Sequence, residues 1–430
     1  MINAFLFTLF ACGEKDVSET DGNQNTEEVK EGCEDGVCIL SGTITEDLKL
    51  TSDNVYLLRG GVFIGDDENE TILEIEAGTT IYGESSTDGM LVVRRNSKII
   101  AEGTAEAPIV FTSSKAEGSR ARGDWGGLII NGNAPINACG DESADLCEAF
   151  GEGGTGFYGG NDPEDDSGVL KYVRVEFAGT LVSPENELNG IAFQAVGNST
   201  VVDYVQVHMN ADDGVEFFGG TVDVKHVLIT GVGDDSLDWT DGWQGSAQYV
   251  ILQQSDDNGD NGIEADNNGE ANDAAPRSNP TLANFTIIGS PNNERSDVGV
   301  LLREGTAASI MNFAVLGFNE VCVRVDNDAT FAQLEEGNIT FTNSVLNCAT
   351  NFDGDYDTEG WFLGQEGNAV GEAALTNAFD FANPDYTPAT MGSAVAGDAS
   401  TLDSVLDAAQ FVGAVDSDDW TLGWTTHTQN

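Results

Sequence analysis

NGIAF (189–193), DGVEF (213–217), DSLDW (235–239), NGIEA (261–265) and VGVLL (298–302) share one pattern, a small residue followed by a short apolar run. Aligned on the small residue they fall at Gly190, Gly214, Ser236, Gly262 and Gly299, spaced 24, 22, 26 and 37 residues apart. The longest spacing holds the polar insertion NNGEANDAAPRSNP (267–280), and EVCVRV adds a sixth copy, with Cys322 another 23 residues on. A second ladder runs beside the first. It comprises YVRVEF from Tyr172, YVQVHM from Tyr204, HVLITG from His226, YVILQQ from Tyr249, FTIIGS from Phe285, FAVLGF from Phe313 and SVLNCA from Ser344. Two or three short strands per repeat of about 22 residues are the signature of a parallel β-solenoid.

In a solenoid each coil gives one strand to each flat sheet, and equivalent residues stack about 4.8 Å apart. Val, Ile, Leu and Phe take the inward positions, polar residues face out, and insertions leave as loops. A β-sandwich would not keep one motif through five copies. The earlier segments TILEIEAGTTIYG (71–83), MLVVRRNSKIIAEG (90–103) and APIVFTSS (107–114) fit the same plan less regularly. The reading is therefore all-β: a parallel β-helix over residues 39–350, then C-terminal coils and an irregular cap over 351–430. A short helix is expected at EAALTNAFDF (372–381).

Composition agrees. Hydrophobic residues make up 40%, enough for a long core, and 52 Gly against 9 Pro suit many tight turns. Seventeen Lys and Arg against 74 Asp and Glu give a formal charge of −57. That charge repels phosphate backbones and anionic headgroups, so nucleic acid is excluded as a partner.

Residues 1–11, MINAFLFTLFA, are apolar and too short to span a bilayer, which suits the end of a signal peptide. Leu9-Phe10-Ala11-Cys12 resembles a bacterial lipobox, although no basic residue precedes it. The resemblance implies lipidation of Cys12 and, with Gly13 rather than Asp following, an outer-membrane address facing the periplasm or the cell surface. Residues 12–38 are then an acidic tether. The other six cysteines fall into sequence-local pairs, Cys33 with Cys38, Cys139 with Cys147 and Cys322 with Cys348, as expected of disulfides in an oxidising compartment. Six cysteines allow fifteen pairings, and Cys322 also reads as a buried small hydrophobe. With no C-x-x-C and no His nearby, zinc is not indicated.

AGTTIYG (77–83), IIAEGTAEAPIVFTS (99–113), GDWGGLIINGNAPIN (123–137), the YVRVEFAG rung (172–179) and the terminal DWTLGW together resemble a family of bacterial β-helix lipoproteins with a pectin-lyase-like solenoid. The resemblance covers roughly residues 40–425. It implies a right-handed parallel β-helix on an exported lipoprotein and transfers no catalytic residue.

Two constellations carry chemistry. DDGVE (212–216), DDSLD (234–238) and DNGIE (260–264) would stack carboxylates on adjacent rungs. Stacked carboxylates raise one another's pKa and persist when a cation binds them or one stays protonated. ADDGVEF and GDDSLDW resemble the N-T-D and D-D motifs of polygalacturonase-type glycosidases. Carried over, Asp213 matches the first aspartate, Asp234 and Asp235 the pair, and Arg303 lies near a basic motif. The histidine motif is absent, since Gly259-Asp260-Asn261-Gly262 stands in its place, and Glu304 replaces the lysine. The second constellation is the loop DDNGDNGIEADNNGEAND (256–273). Asp256, Asp257, Asp260, Glu264 and Asp266 form a hard-oxygen set of the kind Ca²⁺ selects, and a solvated acidic loop has the same composition. Trp239 and Trp243 beside the row are read either as a sugar-binding face or as core. The function expected is a lipid-anchored, calcium-binding, non-enzymatic surface protein that binds a polysaccharide or a surface protein. The alternative is a glycosidase or lyase using the Asp row.

Overall fold

The structure, a computed structural model, describes residues 33–430 apart from 35, 141–145, 184–185 and 354–355. Cys12, the expected signal peptide and most of the expected tether lie outside the described residues. Among the described residues, 26 strands bond into one continuous wrapped sheet whose pairings are parallel apart from a short Cys33–Glu34 strand. The molecule is a right-handed parallel β-helix. Its parallel stack begins at Val37–Ile44, a little inside the segment read as tether, and ends where Val345–Asn347 pairs with Ala369–Val370.

The registers bear out the first ladder residue for residue. Ile191 pairs with Val215, Val215 with Leu237, Leu237 with Ile263, Ile263 with Val300 and Val300 with Val323. The small residue before each has a steric cause. A Cβ on Gly214 would lie 2.3 Å from Ile229 Cγ2 and 2.5 Å from the Ser236 carbonyl of the next rung.

The second ladder marks a corner. Long strands such as Gly168–Glu176 and Val201–His208 bend midway, so that the first half of Gly168–Glu176 pairs with Lys98–Glu102 and the second half with Ile109–Ser113. The bend is a left-handed residue on every rung: Tyr172, Tyr204, His226, Tyr249, Asn284, Asn312 and Asn343, with φ between 49° and 62°. The sequence alignment slipped by one in the last three copies. Val250 pairs with Phe285, so Tyr249 stacks on Asn284, and the column continues through Asn312 and Asn343 rather than Phe313 and Ser344. Asparagine tolerates the left-handed region, which is why it can close the column. The four ring-bearing members stack at 4.2–4.8 Å between centroids.

Two further expectations change. Residues 372–381 form no helix. Ala373–Asn377 is a strand paired antiparallel with Asp385–Met391. The helices lie at Asp328–Glu336, capped by Asn327, and Thr358–Leu363, capped by Asp357. The three disulfides pair as expected, Cys33–Cys38, Cys139–Cys147 and Cys322–Cys348, and Cys322 is both bonded and fully buried.

Residues 395–428 then lie along the outside of the corner. Asn343 donates to the Val395 carbonyl, Asn284 to Phe411, Arg174 to Trp424 and His208 Nε2 lies 2.9 Å from the Thr428 carbonyl. The tail crosses the corner more than once, since Asn312 binds both Gly397 and Gly413, and Trp420 and Trp424 set their edges against the stacked rings.

Candidate metal centre

The acidic row lies where the loops before the Val215–Phe218, Leu237–Thr240 and Ile263–Ala265 strands superpose. The parallel register fixes its geometry. Glu216 pairs with Asp238 and Asp238 with Glu264, so three acidic side chains point the same way on successive rungs. Three residues earlier Asp213 accepts the Asp235 backbone N–H at 3.0 Å, and Asp235 accepts that of Asn261 at 2.7 Å. Each aspartate is thus held by the backbone of the next rung.

Four triads bring carboxylate oxygens within 4.8 Å of one another: Asp212, Asp213 and Asp234; Asp234, Asp235 and Asp260; Asp213, Glu216 and Asp238; Asp235, Asp238 and Glu264. At an effective dielectric of about 20, two unit charges about 4.8 Å apart repel by about 3.5 kcal/mol. Several such pairs would cancel a native stability of about 5–15 kcal/mol, so a proton or a cation must share the row. Burial, then the neighbouring carboxylates, holds Asp213, Glu216, Asp235 and Asp238 well above the usual carboxylate range. Burial and the Asp234 charge push Asp212 up to about 7. Burial also lifts Glu264 to about 7 against the pull of Arg303, and Asp260 to about 6.

Polar atoms around the row are left without partners. Asn189 is 3% exposed, and its amide nitrogen donates to Glu216 while its Oδ1 has no hydrogen bond. Asn210 donates to the Asp213 carbonyl at 2.6 Å and its Oδ1 is likewise buried and unpaired, as is Asp238 Oδ1. Such atoms cost about 1–3 kcal/mol each when left unsatisfied. With the carboxylates, these are hard oxygens of the kind Ca²⁺ selects.

Asp213, Asp234 and Asp235 do come together. Arg303 stands at the far end, bound to Glu264 and, at 2.8 Å, to Asp266. The 256–266 loop does not converge as one ligand set. Asp260 and Glu264 join the row, Asp266 turns to Arg303, Asp257 pairs with Arg122 at 2.9 Å and Asp256 accepts from Ser290 Oγ. Trp239 and Trp243 are not a sugar-binding face: both are 0% exposed. Trp243 stacks on Phe217 at 3.9 Å inside the coil, and Trp239 donates its indole N–H to Thr306. The contribution of Asn189 escaped sequence reasoning, although its place in NGIAF, on the rung before Asp213, marked it.

The sequence matches the family of pectate-lyase-like β-helix domains over residues 42–425. No curated protein matches the chain. Among solved structures, the enzymatically active domain of bacteriophage CBA120 tailspike protein 2 is similar at a TM-score of 0.31 and 10% identity, over 77% of this chain. This chain spans 46% of that one. With the family matched from the first coil to the last tail segment, the chain belongs to the pectate-lyase-like β-helix family.

Proposed function

We propose that this is an exported, lipid-anchored β-helix that serves as a non-enzymatic, calcium-binding scaffold on the outer membrane. The observation that supports calcium is the triple-rung carboxylate row with unpaired buried oxygens, its only direct ion pair among the described residues being Arg303 with Glu264 and Asp266 at one end. The anchor is Cys12, and the acidic tether lifts the body from the lipid. Thermal unfolding tests the cation. Binding adds about 2.7 kcal/mol at a hundredfold excess over Kd. Millimolar Ca²⁺ is expected to raise Tm well beyond NaCl of equal ionic strength, and EDTA to reverse the gain. Asp213→Ala with Asp235→Ala should remove the difference, and Asp256→Ala with Asp257→Ala should keep it. Equal melting curves in Ca²⁺ and NaCl would reject calcium. For the anchor, palmitate labelling of the parent and of Cys12→Ser decides, and a variant that still labels and sediments rejects it.

A second reading, a polysaccharide hydrolase, is favoured by one observation. Asp213, Asp234 and Asp235 lie together and burial raises their carboxyls, as the general acid of an acid–base pair requires. Assays on acidic polysaccharides test it, with Asp235→Asn as the control.

A further inference from the structure

The sequence along the row sets how many ions it holds. The two inner triads are one ligand pattern repeated a rung apart: an aspartate, the acidic residue three positions on, and that residue's neighbour on the next rung. Asp213, Glu216 and Asp238 make the first copy. Asp235, Asp238 and Glu264 make the second. Asp238 belongs to both. The pattern fails on either side. One rung earlier the aspartate position is Asn189 and Glu216 pairs with Ala192. One rung later it is Asn261, Glu264 pairs with Leu301, and Arg303 binds Glu264.

We infer that the inner row is a binuclear divalent-cation site in which the Asp238 carboxylate bridges two ions about one rung, roughly 4.8 Å, apart. The inference rests on the calcium reading above and deepens it. Two observations beyond the acidic cluster point to ligands. Asp238 Oδ1 is buried with no donor, as expected of one oxygen of a carboxylate that would bridge two ions through both its oxygens. Asn189, 3% exposed, has its amide nitrogen on Glu216 and its Oδ1 unpaired, so a neutral oxygen stands at the open end of the first triad. The outer triads share Asp234 in the same way, but Asp234 is exposed to water. Water there can solvate the charge, so the demand for an ion is weaker.

Mn²⁺ is the probe, because two Mn²⁺ ions at this separation give an exchange- and dipole-coupled EPR spectrum that an isolated ion does not. The full chain, titrated with Mn²⁺, is expected to show the coupled spectrum, and Ca²⁺ should displace it. Glu216→Gln and Glu264→Gln each remove a ligand from one triad and should each leave one uncoupled ion. Asp238→Asn should abolish coupling and weaken Mn²⁺ binding at least about tenfold, and Asp257→Asn, outside the row, should leave coupling intact. Far-UV circular dichroism checks that each variant keeps its fold. A single uncoupled ion in the parent protein, or coupling that survives Asp238→Asn, overturns the bridge and leaves the calcium reading standing. No bound Mn²⁺ and no Ca²⁺ effect on Tm overturn both.

Discussion

Gln206 and Thr426, 220 residues apart, bind each other in both directions. The Gln206 amide donates to the Thr426 carbonyl at 2.7 Å, and the Thr426 N–H donates to the Gln206 carbonyl oxygen at 2.9 Å. The side-chain amide thus acts as a strand edge for the tail. Gln248 does the same with Asp407, and Asn312 with Gly397. Most backbone groups of the corner are used along the stack, the Asn312 carbonyl that accepts from Gly413 being an exception, so side-chain amides carry much of the tail's attachment.

Breaking one such clasp should loosen the tail and spare the coils. Gln206→Ala leaves a partly buried N–H and C=O unpaired, which costs about 1–3 kcal/mol. Hydrogen exchange is expected to quicken at 424–428 and stay unchanged at Val215–Phe218. Equal exchange in both segments would mean that the tail is held by its tryptophans alone.

The disulfides should differ in worth by loop length. Chain-entropy reasoning gives about 3.5 kcal/mol for Cys322–Cys348, which closes 26 residues, and about 2 kcal/mol for Cys33–Cys38, which closes 5. Urea denaturation of Cys322→Ala with Cys348→Ala, against Cys33→Ala with Cys38→Ala, tests the order. A larger loss at the N-terminal pair would contradict it.

Trp243→Ala should act on stability and not on ligand binding. Removing a fully buried indole costs about 3–5 kcal/mol. The variant is expected to lose Tm sharply while any binding to oligosaccharide, scaled to folded protein, stays unchanged. A selective loss of sugar binding would restore the groove reading that its burial removes.

The coil was legible because stacking forces the same chemistry into the same place every rung, and that repeat survives in the sequence as Gly190, Gly214, Ser236, Gly262 and Gly299. The corner column was legible only in part. Its members share a backbone angle, not a polarity, so Asn284 was passed over for the aromatic Phe285 beside it. The tail was not legible at all: its partners are isolated amides on distant rungs, with no periodicity of its own. In the row, charge spacing located Asp213 and Asp235. Whether Asp256 and Asp257 belonged to it depended on where a loop turned, and Arg122 and Ser290 decide that from elsewhere in the chain.

The pH dependence of stability should run opposite to that of most acidic proteins. A carboxyl raised in the folded state binds more protons there than when unfolded. Stability is then lost as pH rises from an unfolded pKa of about 4 to the folded one. Asp212 and Glu264, raised to about 7, and Asp260, raised to about 6, place that loss between about pH 4 and 7. His208, held near 3 by burial, opposes this. Its pKa is depressed, so it costs stability as pH falls below about 6.5. Asp257, held low by Arg122, loses its contribution only on further acidification. The row carboxyls outnumber the opposing groups, so metal-free protein is expected to melt highest near pH 5 and several degrees lower at pH 8. Saturating Ca²⁺ binds the deprotonated row and should remove or invert that fall. Asp212→Asn with Asp260→Asn should flatten the metal-free profile. A metal-free Tm that climbs steadily from pH 5 to 8 would show that the row is ionised and solvated in the folded protein, and the electrostatic case for a bound cation would go with it.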